Sequence, residues 1–207
     1  MSIDMPSQSH QLCTLIAQLH AQGKSPATST NYSYRNEAGD VVISRSGVDK
    51  SQFRVEDFLQ VDLDGQPLPE FAAVKPSAET LIHCFLYREF PDVMTVLHTH
   101  SVAATILSDL FLSPQQISFT GYEVIKGIEG HQTHDTAIQL PIFANQQDMV
   151  TLCDRFTARR AELNNYGLLI AKHGLYAWGQ DFATAKRHLE VWEFLLECEL
   201  ELLKIKS

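Results

Sequence analysis

The chain has 207 residues, 44% of them apolar and 20% charged, enough to fill the core of one ample domain. Acids outnumber bases by 25 to 16, and the formal charge of −9 argues against a general nucleic-acid binder while leaving an anionic small substrate open, because a pocket's local field can oppose the net charge. No apolar run reaches the length of a membrane span, the opening MSIDMPSQSH lacks the basic-then-apolar pattern of a secretion signal, and Cys13, Cys84, Cys153 and Cys198 form no CxxC, so a cytoplasmic protein with reduced cysteines is expected.

Leu12, Leu15, Ile16 and Leu19 recur at helical spacing and Gly23 closes the run, which predicts a helix over residues 11–22. NYSYRN and DVVISR flank an Ala-Gly turn and read as a hairpin, and FLQVDL before Asp64-Gly65 reads as a further strand. Ser77, after Lys75-Pro76, is the expected N-cap of a helix that buries Leu81, Ile82, Phe85 and Leu86. VMTVLHTH is a strongly apolar strand, followed by a short helix capped by Ser101. ISFTGYEVIKGI and TAIQLPIFA are predicted as two more strands, the second moved toward a sheet edge by Pro141. Residues 146–162 read as helical, YGLLIAKHGLYAWG as two strands pivoting at His173-Gly174, and Asp181 caps a long helix to the C-terminus. Most strands are joined by turns rather than helical crossovers, so one mixed, mainly antiparallel sheet with helices on its faces is expected, spanning residues 1–207 as a single domain. No G-x-G-x-x-G or G-x-x-x-x-G-K loop for nucleotides occurs.

His98 and His100 end the strongest strand, and its period of two points both rings one way, as suits a first-row divalent ion. His173, at another strand end before Gly174, is a candidate third nitrogen ligand; three protein ligands would leave the open positions of a catalytic metal. Glu79 has an ordinary explanation at a helix N-terminus, whereas Glu123 in a strand is less expected; if it faces a metal pocket it becomes a candidate acid/base group with a tunable pKa. Thr28-Ser29-Thr30-Asn31-Tyr32-Ser33, Ser44-Arg45-Ser46-Gly47 and Lys75-Pro76-Ser77 form a phosphate cradle only if they converge in space. His83 and His188 read as packed or hydrogen-bonded, His131 and His134 as solvent-facing, and Trp178 and Trp192 as core or interface residues.

The order Thr-x-x-Asn, Ser-Gly, Lys-Pro-Ser-x-Glu, His-Thr-His-Ser and Lys-His-Gly resembles the class II aldolase/adducin family over nearly the whole chain. GYEVIKGI and HGLYAWG are similar to family members that dehydrate a methylthio-substituted ketose 1-phosphate in methionine salvage. The resemblance implies an α/β fold, a three-layer α/β/α sandwich around a mainly antiparallel sheet, in a homotetramer with sites near subunit boundaries. It implies one zinc ion per subunit on His98, His100 and His173, acid/base work by Glu123, and a role beside the metal for Glu79. It implies phosphate binding by Thr28, Asn31, Ser46, Gly47 and Ser77, with Lys75 adjacent, although Thr30 and Ala78 stand where aldolases usually carry glycine and a second serine. An aldolase or epimerase on another sugar phosphate, and a non-catalytic module like the adducin head, are the alternatives; neither nucleic acid nor membrane is an expected partner.

Overall fold

The computed structural model describes residues 7–206; much of the segment read for a secretion signal, and both ends of the expected 1–207 domain, lie outside them. Helix α1 (Ser7–Ala21) starts one turn before the predicted span and buries Leu12, Leu15, Ile16 and Leu19. Strands β1 (Tyr32–Arg35) and β2 (Val41–Ser44) form the predicted hairpin, and β3 (Phe58–Val61) pairs beside β2. Then follow α2 (Thr80–Glu89), β4 (Thr95–Thr99), α3 (Val102–Leu110), β5 (Gln116–Phe119), β6 (Ile138–Phe143), α4 (Met149–Ala158), β7 (Gly167–Ile170), β8 (Gly174–Gly179) and α5 (Phe182–Lys206). No helix among the described residues is long and apolar enough to cross a membrane.

The eight strands form one sheet in the order β3-β2-β1-β4-β8-β7-β6-β5, antiparallel throughout except between β6 and β7. Alternation along each strand divides the core in two. Leu97, Leu175 and Ala177 face a cluster that includes α1, α3 and α5 residues such as Leu15, Leu107, Leu189 and Trp192. Val96, Tyr176 and Trp178 face the opposite cluster, with Ile82 and Phe85 of α2 and Leu152 and Phe156 of α4. This is the expected three-layer α/β/α sandwich, and both tryptophans are core residues.

Three local expectations are corrected. Ser77 is not the N-cap of α2: Glu79 occupies that position, Ser77 Oγ accepts from the Glu79 N–H just ahead of the helix (3.3 Å), and Leu81 is only half-buried. ISFTGYEVIKGI is not one strand, because β5 ends at Phe119, Gly121 takes a left-handed φ of 80°, and Glu123–Gly127 is a 3₁₀ turn. Strand β6 is not an edge strand despite Pro141. Toward β5 the backbone uses the Ile142 N–H (2.8 Å to Gln115 O), and the ladder to β7 starts only at Ile142, so the missing N–H falls where neither neighbour requires it.

The β7–β8 hairpin packs its tip against β4 through a glycine. A Cβ on Gly174 would collide with the Thr99 carbonyl oxygen and lie 3.0 and 3.1 Å from the rings of His100 and His98. Gly174→Ala is therefore expected to cost about 1–3 kcal/mol of stability, the usual range for overpacking, as measured by urea denaturation. An unchanged midpoint would show that the strands can part without cost.

Candidate active site

His98 and Val96 are two residues apart on β4, so the His98 ring faces the α2 side of the sheet. It pairs across the ladder with Tyr176 and stacks on its ring, with centroids 3.9 Å apart and planes at 14°. His100, one residue past the strand, turns the same way, and His173 enters from the β7–β8 turn. Ring centroids are 4.5 Å apart for His98–His100, 5.0 Å for His98–His173 and 4.6 Å for His100–His173. Glu79 completes the group, its Oε1 3.0 Å from His173 Nε2 and its Oε2 3.4 Å from His98 Nε2. One donor atom from each of the four residues lies within 4.8 Å of the others.

The chemistry of these donors fits a divalent metal. His98 Nδ1 sits 2.9 Å from the Leu175 carbonyl oxygen, which can only accept, so Nδ1 carries the proton and Nε2 turns its lone pair into the cluster. Burial pushes His98 well below the ordinary histidine range and, with the neighbouring His173, pushes His100 down to about 4. Both rings are neutral at pH 7, the form that ligates. His98 Nε2 and His100 Nε2 approach to 2.7 Å, aimed at one point.

Glu79 is charged in this setting. Burial opposes ionisation; the hydrogen bond from the Asn31 amide favours it, as do His98 and His173 to the extent that either ring carries a proton, and the balance lies well below the usual carboxyl range. Asn31 Nδ2 donates to Oε2 at 2.6 Å and Tyr176 OH at 2.8 Å. The same Asn31 Nδ2 donates to Ser77 Oγ at 3.1 Å, the Ser46 N–H donates to the Lys75 carbonyl at 3.2 Å, and Arg45 bridges Pro76. The three expected cradle segments are therefore joined, with Asn31 and Ser77 next to Glu79, and Ser46 and Lys75 linked to each other through the backbone. Thr28 and Gly47 are exposed, and among the described residues no hydrogen bond joins them to this group.

Behind the strand, Thr99 points to the opposite face and donates to the buried carboxylate of Glu193, which also lies 3.6 Å from Lys24 Nζ. The Lys24 carbonyl in turn accepts from the His100 N–H at 2.9 Å.

Glu123 is placed differently from expectation. It opens the 3₁₀ turn with its side chain exposed, paired with Lys126 and 3.4 Å from His134 Nδ1, and touches none of the four clustered residues. Its hydrogen bond from Lys126 lowers its pKa, the reverse of the raised value expected in a dry pocket. The sequence patterns do not mark Tyr176, His83 or Lys50 as site residues. Tyr176 and His83 lie within apolar runs; only their strand and helix phase, unknown before pairing, turns them toward Glu79.

Residues 10–200 match the family described as Class II Aldolase and Adducin N-terminal domain. The chain belongs to this family. It is similar to methylthioribulose-1-phosphate dehydratases, being 64% identical over 99% of this chain and 97% of the protein from Picosynechococcus sp., and 48% identical over 96% and 92% for that from Xanthomonas campestris pv. campestris. Among solved structures it resembles an L-fuculose 1-phosphate aldolase (TM-score 0.78, 18% identity, 100% of this chain and 90% of that one). It also resembles the L-fuculose-1-phosphate aldolase from Thermus thermophilus (TM-score 0.68, 22% identity, 96% and 94%). The class II aldolase fold and the resemblance read from the motifs are both borne out.

Lys50, next to the Ser46-Gly47 turn of this class II aldolase fold, is buried. Its ammonium donates to the Val48 carbonyl at 3.2 Å and lies 5.3 Å from the Phe53 ring centroid. Burial pushes its pKa from 10.5 down to about 8. Between those values the unfolded chain binds the extra proton, so stability rises with pH across that window and the charge penalty is full below it. Lys50→Met is expected to stabilise the protein at pH 7 and to lose that advantage by about pH 10.5, as read from denaturation midpoints at both pH values. An advantage independent of pH would place the ammonium in solvent.

Proposed function

We propose that this protein is a zinc-dependent dehydratase of 5-methylthioribulose 1-phosphate in cytoplasmic methionine salvage, giving 2,3-diketo-5-methylthiopentyl 1-phosphate. The observation that carries this reading is the meeting of four metal donors with the Asn31–Ser77 cradle, in a chain closely similar to relatives named for that activity. His98, His100 and His173 would hold the zinc, with Glu79 as a further contact. Bound there, it supplies Lewis acidity toward adjacent ketose oxygens and so acidifies the C3 proton.

The chain's own groups divide the remaining work. Ser77, Ser46 and Asn31, with Thr28 and Gly47 on the rim and Lys75 nearby, receive the phosphate. Glu79 already accepts hydrogen bonds from Asn31 and Tyr176 and is held ionised, which suits a metal contact better than a proton carrier. Glu123 is the proposed carrier: its carboxylate takes the C3 proton and returns a proton to the C4 hydroxyl, which departs as water. The enol left behind tautomerises to the 2,3-diketone.

Because Glu123 stands exposed and apart from the imidazoles of its own chain, we infer that it serves the site of a neighbouring copy, in keeping with a homotetramer. There, desolvation would reverse the shift that Lys126 imposes in the single chain.

The competing reading is a sugar-phosphate aldolase or epimerase in which Glu79 moves the proton, favoured by its place among the imidazoles. Zinc-loaded protein given methylthioribulose 1-phosphate is expected to release the diketone without carbon–carbon cleavage; cleavage or epimerisation products would decide for the competitor.

Two variants test the roles. Glu123→Gln should lower turnover about 10²–10⁴-fold with zinc retained, and His98→Ala should lose both zinc, by elemental analysis, and activity. Mixed assemblies of these two variants should regain part of the activity. A failure to complement would confine Glu123 to its own chain's site.

A further inference from the structure

His83 is fully buried on α2, one turn after Glu79, and is neither a metal donor nor a packing residue alone. Both of its ring nitrogens are engaged. Nε2 meets Asn31 Oδ1, and Nδ1 lies 2.7 Å from Ser33 Oγ, which is itself 2.7 Å from Tyr87 OH. Ser33 and Tyr87 are buried as well, and Asn31 nearly so.

The direction of every bond in this chain follows from its last member. Glu79 Oε2 already accepts from Tyr176 OH at 2.8 Å and takes Asn31 as a second donor at 2.6 Å, and Ser77 Oγ lies 3.1 Å from the same Asn31 nitrogen, so Asn31 turns its amide NH₂ to this side. Asn31 Oδ1 therefore faces His83 and needs a donor, which places a proton on Nε2. Burial keeps the ring neutral, its pKa pushed down to about 3, so Nδ1 accepts from Ser33 and Ser33 accepts from Tyr87. Five groups are thus ordered Tyr87 → Ser33 → His83 → Asn31 → Glu79, each donating to the next.

We propose that His83 is a positioning residue which, through its Nε2–H, locks the Asn31 amide so that one NH₂ group serves both Glu79 and Ser77. It touches neither substrate nor metal. Its effect is to keep the carboxylate at the metal site and the serine of the phosphate cradle at a fixed separation. The kinetic part of this inference rests on the dehydratase reading; the proton's position does not.

The experiment separates the two. In ¹⁵N-histidine-labelled, metal-free protein, NMR is expected to show His83 neutral with its proton on Nε2 from about pH 5 to 9. A proton on Nδ1, or an imidazolium, would overturn the proposal whatever the enzyme does. His83→Gln carries an amide where Nε2 lies and can still donate to Asn31, so turnover should stay within about threefold of wild type. His83→Asn reaches only the Ser33 side and should lose roughly ten- to hundredfold, the weight of one hydrogen bond at a buried site, with zinc content unchanged. Equal turnover by the two variants at equal zinc loading would reject positioning in favour of plain packing. If wild type shows the Nε2 proton yet does not dehydrate methylthioribulose 1-phosphate, the lock stands and the proposed function falls.

Discussion

The pairing of β4 with β8 sets where the three imidazoles of the site can lie. His98 stands opposite Tyr176, and Thr99 opposite Leu175. The ladder delivers the Leu175 carbonyl to His98 Nδ1, which fixes the tautomer, and brings Gly174 close enough to Thr99 that no side chain fits between them. His173 then has one place to go, beside the other two rings. The packed sheet holds the His98 and His100 Nε2 atoms within hydrogen-bond distance of each other, at 2.7 Å.

Successive residues of that strand face two carboxyl groups whose pKa values shift in opposite directions, the partly buried Glu79 and the buried Glu193. On the His98 side, Glu79 is surrounded by donors from Asn31 and Tyr176 and stays ionised despite burial. On the Thr99 side, Glu193 is more completely buried; desolvation raises its pKa, and the Lys24 ammonium at 3.6 Å and the Thr99 hydroxyl offset that only in part.

Patterning made most of the architecture legible: the leucines of α1 allow only one buried face, and VMTVLHTH is a short apolar run of the kind that forms a central strand buried on both faces. The shared side of two clustered histidines was legible from strand periodicity: once 98 and 100 share a strand, they share a side. Most of what was missed depended on partners distant in sequence, and one reading on a local break. Pro141 reads as an edge residue only until the ladder shows that its N–H is not called upon. Glu123 sits in an alternating-looking segment that Gly121 breaks, and its exposure in a single chain follows from that turn. His83 and Tyr176 gain their meaning from Glu79, which caps α2 one turn before His83 and lies across the sheet face from Tyr176. Periodicity gives the side on which a residue lies but not its partner across the sheet.

The segment carrying Asn31 shows how far the strand tip reaches. Thr30 holds a left-handed φ of 72°, uncommon for a β-branched residue, at a position where glycine would fit without strain. Such a conformation costs on the order of 1–3 kcal/mol and persists only where the surroundings over-determine it. Here they do. The His98 N–H donates to the Asn31 carbonyl at 3.1 Å, the His100 N–H donates to the Lys24 carbonyl at 2.9 Å, and Ser25 Oγ meets Tyr32 OH at 2.6 Å. The backbone of the two histidines thus clamps both ends of the loop whose amide grips Glu79, while their side chains face the same carboxylate. A change in strand position would shift the imidazoles, the loop and the carboxylate together.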